Sequence, residues 1–178
     1  TGQQNTAVGE RALDANVDGT NNTAVGRDAL GANISGSNNS AFGHNSLLNN
    51  TTASYNTAVG QGSLGNNTTG SSNAALGYYA LVSNTTASGN TAVGMRVLQT
   101  NTTGSANTAI GSQSLQANTT GASNQALGAN TLRQNTTGFR NIAIGHNALE
   151  NNQTGSDNIA IGHDTIKQIT TSAHNNVA

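Results

Sequence analysis

A five-residue motif returns every 17 residues, and its ten complete copies follow one another without an insertion or a deletion. Self-similarity at a short fixed period is typical of proteins in which each repeat forms one layer of a stack. An eleventh, incomplete copy begins at Asn175. The complete copies begin at Asn5, Asn22, Asn39, Asn56, Asn73, Asn90, Asn107, Asn124, Asn141 and Asn158.

We number each repeat from this asparagine and call the residues at one repeat position a column. Position 3 is Ala and position 5 is Gly in all ten copies, while position 4 is always Val, Ile, Leu or Phe. Position 9 is Leu except for Ile166, and positions 12–15 read mostly Asn-Thr-Thr-Gly. Positions 6, 7, 10, 11, 16 and 17 vary. In the first two copies the repeat-defining residues are Asn5, Ala7, Gly9, Leu13, Asn22, Ala24, Gly26 and Leu30.

The apolar residues at positions 2–5 and 8–9 predict two short strands per repeat, each followed by turn residues. Seventeen residues are too few for two helices with their turns, and Gly, Asn and Thr are poor helix formers. With only 3% aromatic residues, a core must use small side chains many times over. We therefore predict an all-β fold, a β-solenoid (parallel β-roll) of ten 17-residue rungs over 1–166. A degenerate terminal repeat, 167–178, would cap the stack or lead into another segment.

Stacking would place identical residues above one another, with an amide ladder of asparagines at position 1 and a leucine column at position 9. Neighbouring side chains of a strand point to opposite faces. Positions 3 and 4 are both apolar, as are positions 8 and 9 in many copies, so both faces of each strand carry apolar side chains that must be shielded from water. This pattern predicts self-association of identical chains, intertwined or side by side, with cyclic dimers and trimers as the candidates.

The Asn-Thr-Ala-Val-Gly motif, followed two residues later by Ala-Leu, resembles the head repeats of trimeric autotransporter adhesins. Asn-Thr-Ala-x-Gly arrays followed by Asn-Thr-Thr-Gly are similar to repeats of bacteriophage and injection-system tail fibres. The resemblance covers essentially the whole chain and is closest at the copies from Asn5, Asn22, Asn56, Asn90 and Asn107. It implies a left-handed parallel β-roll in a homotrimer, although the adhesin period is shorter, at 14 residues.

Composition excludes several function classes. Six Lys and Arg against seven Asp and Glu cannot form the basic stripe that a nucleic-acid partner requires. No apolar run is long enough for direct membrane insertion. The acidic residues of the first two copies, Glu10, Asp14, Asp18 and Asp28, lie at turn and variable positions, which favours a solvated rim over a pair of catalytic carboxylates. We expect no enzyme activity and no cofactor.

Histidines and threonines suggest two further possibilities. His44, His146 and His163 share position 6, and His174 departs from this column. Without a carboxylate at a fixed spacing, we interpret them as exposed turn histidines rather than metal ligands. Regular Thr residues raise ice binding as the alternative function. However, the threonines at positions 13 and 14 are adjacent and cannot both face outward from a flat strand.

Exposed aromatic residues beside arginine indicate a surface recognition patch, because they can stack on a sugar or anchor a partner loop. Packing against the turns of a neighbouring chain is the competing interpretation. We expect a stiff, non-enzymatic, extracellular fibre segment of a cell-surface adhesin or of a virion or injection-device tail fibre. Its variable turns would serve host or surface attachment by binding a receptor, a glycan or extracellular matrix. The candidate patch residues are Tyr55, Tyr78, Tyr79, Met95, Arg96, Phe139 and Arg140.

Overall fold

One three-residue strand forms in every repeat of the computed structural model, which describes residues 2–167 and 175–178. Each strand covers positions 2–4, where the alternation of polar or small residues with apolar ones suits extended backbone. The strands are β1 (Thr6–Val8), β2 (Thr23–Val25), β3 (Ser40–Phe42), β4 (Thr57–Val59), β5 (Ala74–Leu76), β6 (Thr91–Val93), β7 (Thr108–Ile110), β8 (Gln125–Leu127), β9 (Ile142–Ile144) and β10 (Ile159–Ile161).

The ten strands form one parallel sheet in chain order, and each residue of β1 to β9 pairs with the residue 17 positions further along. Ala7 thus pairs with Ala24, and Val8 with Val25. Nine inter-strand spacings of about 4.8 Å give a stack roughly 43 Å long. The predicted all-β parallel β-solenoid with a 17-residue rung is confirmed.

The second predicted strand, at positions 8–9, is wrong. These residues lie in a turn, and the leucine at position 9 has a positive φ, 51° at Leu30. This left-handed conformation ends extended structure and directs the residues at both positions inward, so Ala29 and Leu30 are both fully buried. The expectation that positions 8 and 9 face opposite sides therefore fails. The turn nevertheless forms backbone hydrogen bonds to the next rung: the N–H of Leu30 donates to the carbonyl oxygen of Ser46 at 3.0 Å.

The core consists of two apolar columns on the inner side of the sheet. Alanine at position 3 lies on the inner face of the strands, and the leucine of position 9 packs beside it in one continuous cluster. Each fully buried leucine contributes about 1.5–3 kcal/mol of transfer free energy. The fully buried leucines are Leu30, Leu47, Leu64, Leu81, Leu98, Leu115, Leu132 and Leu149.

Glycine at position 5 is required by both conformation and space. Gly26 has a φ of +132°, and a Cβ there would lie 2.6 Å from the carbonyl oxygen of Gly43 in the next rung. Only glycine adopts this φ readily and lets two backbones approach so closely. The invariant glycine therefore sets the spacing of the rungs where the strand ends.

Two asparagine columns complete the interior. At position 1, Oδ1 of Asn39 accepts a hydrogen bond from the backbone N–H of Asn56, 3.0 Å away, and this contact recurs from rung to rung. Some position-1 amides also bond to each other, as Asn141 does to Asn124 at 3.0 Å. The predicted ladder at position 1 is therefore present, although its regular contact is from side chain to backbone.

A second, more regular amide ladder lies at position 12, which the sequence analysis assigned to a turn. Nδ2 of Asn50 donates to Oδ1 of Asn33 at 2.8 Å and also to the carbonyl oxygen of Ala53, at position 15, 3.0 Å away. Asn39, at position 1, donates to the same carbonyl. Two asparagines of this rung thus converge on one carbonyl and close the rung without a large apolar core, and the same arrangement recurs in most other rungs.

The terminal repeat differs from the sequence alignment by one residue. Asn176, and not Asn175, takes the ladder position: its backbone N–H lies 3.1 Å from Oδ1 of Asn158, and Val177 pairs with Ile159. The last period is therefore 18 residues. Residues 168–174, which include most of the predicted terminal segment and His174, lie outside the described residues.

Candidate recognition surface on the sheet and its turns

The outer face of the sheet is an exposed apolar strip. Because position 3 faces the core, position 4 faces outward. Eight of its ten side chains are 38–60% exposed, and Val25 and Val93 are half-buried, whereas the alanines beside them are buried in every rung after the first. Ile110, in the middle of the stack, is 38% exposed, whereas Ala109 is fully buried. The structure thus decides which column lines the coil and which lies on its outer face. Exposed members are Val8, Phe42, Val59, Leu76, Ile110, Leu127, Ile144 and Ile161.

Variable turns flank this strip at both ends of the strands, with positions 16–17 before each strand and positions 6–7 after it. Their backbone is bonded from rung to rung: Tyr79 N donates to Gln61 O at 3.0 Å, and Tyr55 N donates to Ser37 O at 3.1 Å. Tyr55 and Tyr79 both have positive φ, as do the other residues at positions 7 and 17 within the described part of the chain. At positions 7 and 17 the backbone supplies these bonds, so the side chains there vary without disturbing the fold. At position 16 the side chain takes part, since Oγ of Ser54 accepts a hydrogen bond from the backbone N–H of Ser37 at 3.0 Å.

Four of the seven predicted patch residues come together after β5 and β6. The rings of Tyr78 and Tyr79 meet edge to face, with centroids 4.4 Å apart. Tyr79 lies over Gly62 of the preceding rung, where an added Cβ would meet its ring at 2.6 Å. Tyr78 stays exposed, and Met95 and Arg96 follow in the same columns one rung later, both exposed. Arg96 N donates to Tyr78 O at 2.9 Å, which links the two turns.

The other three predicted residues are not part of this group. Tyr55 is 66% exposed at position 17 of the third rung, while Phe139 and Arg140 lie five rungs further on, roughly 24 Å away. Arg140 lies over the Phe139 ring, 4.5 Å from its centroid, and binds Asp157 through two contacts of 2.6 and 2.8 Å. The Asp157 contact raises the pKa of Arg140. Positions 16 and 17 lie at the opposite strand end from Tyr78.

Asp28 does not belong to a solvated rim. Its carboxylate is largely buried and accepts hydrogen bonds from Nε and Nη2 of Arg11, at 2.6 and 3.0 Å, with Arg27 Nε 3.1 Å away. The hydrogen bond from Arg11 lowers the pKa of Asp28. The pair forms part of an open groove of about 740 Å³ that also reaches His44. A carboxylate held between two arginines stabilises the rungs and is poorly suited to proton transfer.

Threonine hydroxyls at position 13 are used by the fold. Thr68 Oγ1 donates to the carbonyl oxygen of Thr85 at 2.9 Å, and the same bond recurs from Thr51 to Thr136. Hydroxyls bonded to backbone in this way do not form a free array for ice. The position-14 threonines of the same rungs, such as Thr69 and Thr86, are exposed, so the ice-binding alternative stays a prediction.

The position-6 histidines separate into two environments. His146 and His163 occupy consecutive rungs and stack on each other, whereas His44 lies between Arg27 and Gln61 in the same column. A carboxylate, that of Asp164 at position 7, lies beside His163. It approaches His163 because position 7 has a positive φ, 55° at Asp164, a conformation that residue spacing alone did not indicate.

No protein-family model, curated protein or solved structure gives a significant match to the chain. Among the residues that the structure describes, none belongs to a helix with the length and apolar character needed to cross a membrane.

Proposed function

We propose that the chain is a non-enzymatic fibre segment that assembles with identical copies through its outer sheet face and displays its variable turns to a target surface. The observation that carries the proposal is the position-4 column, which is apolar in all ten rungs and faces away from the core. An apolar side chain there contributes nothing to the interior of its own coil. Covering it requires a partner.

The size of the strip supports a docking face. Three residues at about 3.3 Å each and a stack of about 43 Å give a sheet face with a projected area of roughly 430 Å². The position-4 side chains form a continuous apolar column along this face, beside position-2 side chains that are mostly polar. The largest exposed apolar patch of a protein often serves an interaction. The occupant that matches the strip best is a second copy of the chain, because it carries the same side chains with the same spacing between rungs.

A homotrimer is the assembly that the resemblance to adhesin heads and tail fibres implies. Three coils around one axis cover their strips by equivalent contacts, and closed symmetry ends the assembly at three chains. The product is a stiff rod with three copies of every turn. Repetition of weak turn contacts around and along such a rod raises its avidity for a surface.

Target recognition is assigned to the turn that carries Tyr78. Its ring is exposed, braced edge to face by Tyr79, and followed by Met95 and Arg96 one rung later. Rigid exposed aromatic rings beside a cation suit stacking on a sugar or anchoring of a protein loop. We place the segment outside the cell, on an adhesin or on a virion or injection-device fibre, with a receptor, a glycan or extracellular matrix as its partner.

The test compares two substitutions in one column. Binding of the purified protein to target cells and to a glycan panel is measured for Tyr78→Ala and for Gln61→Ala, which removes an exposed position-6 side chain one rung earlier. Loss of at least tenfold in apparent affinity with Tyr78→Ala alone supports the proposal. Equal binding by both variants and the unaltered chain would remove Tyr78 from the recognition surface.

A further inference from the structure

The ninth and tenth rungs bring two imidazoles and a carboxylate together on the surface. His146 and His163 occupy position 6 of consecutive rungs, and their rings stack with centroids 5.2 Å apart and planes 16° from parallel. The stacking follows from the parallel register, because the 17-residue period places identical residues directly above each other. Both side chains are exposed, so their ring nitrogens are accessible from solvent.

Asp164 supplies the third group. Its Oδ2 lies 3.1 Å from Nδ1 of His163, and one ligand atom from each of the three side chains lies within 4.8 Å of the others. The backbone holds Asp164 in place, because its N–H donates to the carbonyl oxygen of His146 at 3.0 Å. The cluster therefore depends on contacts between two rungs, and Asp164 is the member that lies outside the shared histidine column.

The two carboxylate oxygens of Asp164 have different partners. Oδ1 accepts a hydrogen bond from Nδ2 of Asn147 at 2.8 Å and lies 3.3 Å from Nζ of Lys167. Nζ of Lys167 also lies 3.6 Å from Oε2 of Glu150, so Lys167 forms ion pairs with two carboxylates. Oδ2 is thus the oxygen directed to His163, while Asn147 and Lys167 fix the position of Oδ1. Outer contacts of this kind orient carboxylates that bind metals.

We propose that His146, His163 and Asp164 bind one divalent transition-metal ion per chain. Imidazole nitrogen with carboxylate oxygen is a donor set that suits zinc, copper and nickel, whereas calcium and magnesium prefer oxygen alone. Bonds of about 2.0–2.2 Å bring donor atoms within about 3.4 Å of each other. Small rotations of the exposed side chains achieve this closure. The remaining coordination positions are open to water or to a ligand from another molecule.

The proposed ion would link two consecutive rungs and does not depend on assembly with other chains. His44 provides the matched control, because it has the same repeat position but has Arg27 and Gln61 as its column neighbours. It lacks the stacked second imidazole, and Asn45 follows it where Asp164 follows His163. The carboxylate in its groove, Asp28, is bound to Arg11 and Arg27. Replacing His44 therefore measures how much a single exposed histidine contributes to metal binding in the same protein.

The experiment is calorimetric titration of zinc into chelator-treated protein, repeated with cobalt while its visible absorption is recorded. We expect one ion per chain and a cobalt spectrum with nitrogen and oxygen ligation. His163→Gln and His146→Gln should each weaken binding at least tenfold, and Asn147→Ala by about tenfold. His44→Gln should leave binding unchanged. Circular dichroism of each variant verifies that the β-solenoid is retained.

Two results would overturn the proposal. One is the lack of saturable zinc binding by the unaltered protein up to millimolar metal. The other is an equal loss of binding in His44→Gln and His163→Gln, which would indicate nonspecific association with exposed histidines.

Discussion

The Nδ2 amide of Asn84 donates a hydrogen bond of 2.8 Å to Oδ1 of Asn67, and both side chains are fully buried. The two residues are one period apart, and the contact repeats through the interior from Asn16 to Asn152. In a chain with so few large apolar residues, these amides fill the space along the axis and bond each rung to the next. The ladder is therefore as much a part of the core as the leucine column.

Removing one member of this ladder should be costly. Asn67→Ala leaves Oδ1 of Asn50 without its donor and opens a gap in the stack. We expect a loss of about 2 kcal/mol in the free energy of unfolding. Urea denaturation at a fixed protein concentration measures it. The neighbouring Asn66 is exposed, so Asn66→Ala should cost about 0.5 kcal/mol or less. Equal losses in the two variants would show that the ladder contributes little.

The two leucines of the fifth rung should respond differently to truncation. Leu81 is fully buried in the core column, whereas Leu76 is 40% exposed on the outer strip. Leu81→Ala should destabilise the fold of each chain by about 2–5 kcal/mol, because it removes buried contacts and leaves a cavity. Leu76→Ala should act mainly on association between chains. Thermal unfolding at low and high protein concentration distinguishes the two effects. A concentration-independent loss of the same size in both variants would contradict the assignment of inner and outer columns.

The ion pair of Asp28 and Arg11 predicts a defined acid response. Because the folded state lowers the pKa of Asp28 below its ordinary value of about 3.8, the carboxylate stabilises the fold above that pH. This contribution is lost as the pH falls through the lower, folded pKa. Asp28→Asn should therefore reduce stability at neutral pH and weaken its dependence on pH below about 4. Melting temperatures between pH 2 and 7 measure this, with Asp18→Asn, an exposed carboxylate, as the control. Parallel curves for Asp28→Asn and the unaltered chain would contradict the prediction.

A charge in the outer strip should weaken self-association without unfolding the coil. Ile110→Glu places a carboxylate in the middle of the proposed contact, and burying it unpaired is unfavourable. We expect at least a tenfold weaker association, about 1.4 kcal/mol, in analytical ultracentrifugation. Thr103→Glu adds the same charge on an exposed turn and should have little effect. Circular dichroism should remain β-rich in both. Unchanged association of Ile110→Glu would exclude the strip as the contact.

Much of the fold follows from the period alone. Once identical residues are stacked, the alanine and leucine columns and the invariant glycine predict a parallel β-solenoid. The prediction of a second strand at positions 8–9 was wrong because the residue pair Ala-Leu gives no sign that its leucine has a positive φ. The ladder at position 12 was missed because Asn-Thr-Thr-Gly is ordinary turn chemistry. The position-12 asparagine is buried because its amide turns inward and donates to the position-15 carbonyl, a contact that the sequence does not indicate.

The candidate site was only partly accessible from sequence. Shared columns indicated that Tyr78, Tyr79, Met95 and Arg96 are neighbours, but gave no indication that Tyr79 covers Gly62. They also left open which face of the strand is the outer one, because alternation defines two faces without saying which is covered by the coil. Asp164 was overlooked as a neighbour of His163 because the contact depends on the backbone conformation at position 7.

The most direct test of the account is the mass of the protein in solution, measured by light scattering on a sizing column over a range of concentrations. Assembly through the outer strip into a homotrimer predicts a persistent mass of about three times the 17.8 kDa of one chain. A mass of one chain at every concentration, together with a β-rich circular dichroism spectrum, would contradict it. That result would mean that the position-4 column remains exposed in the folded protein.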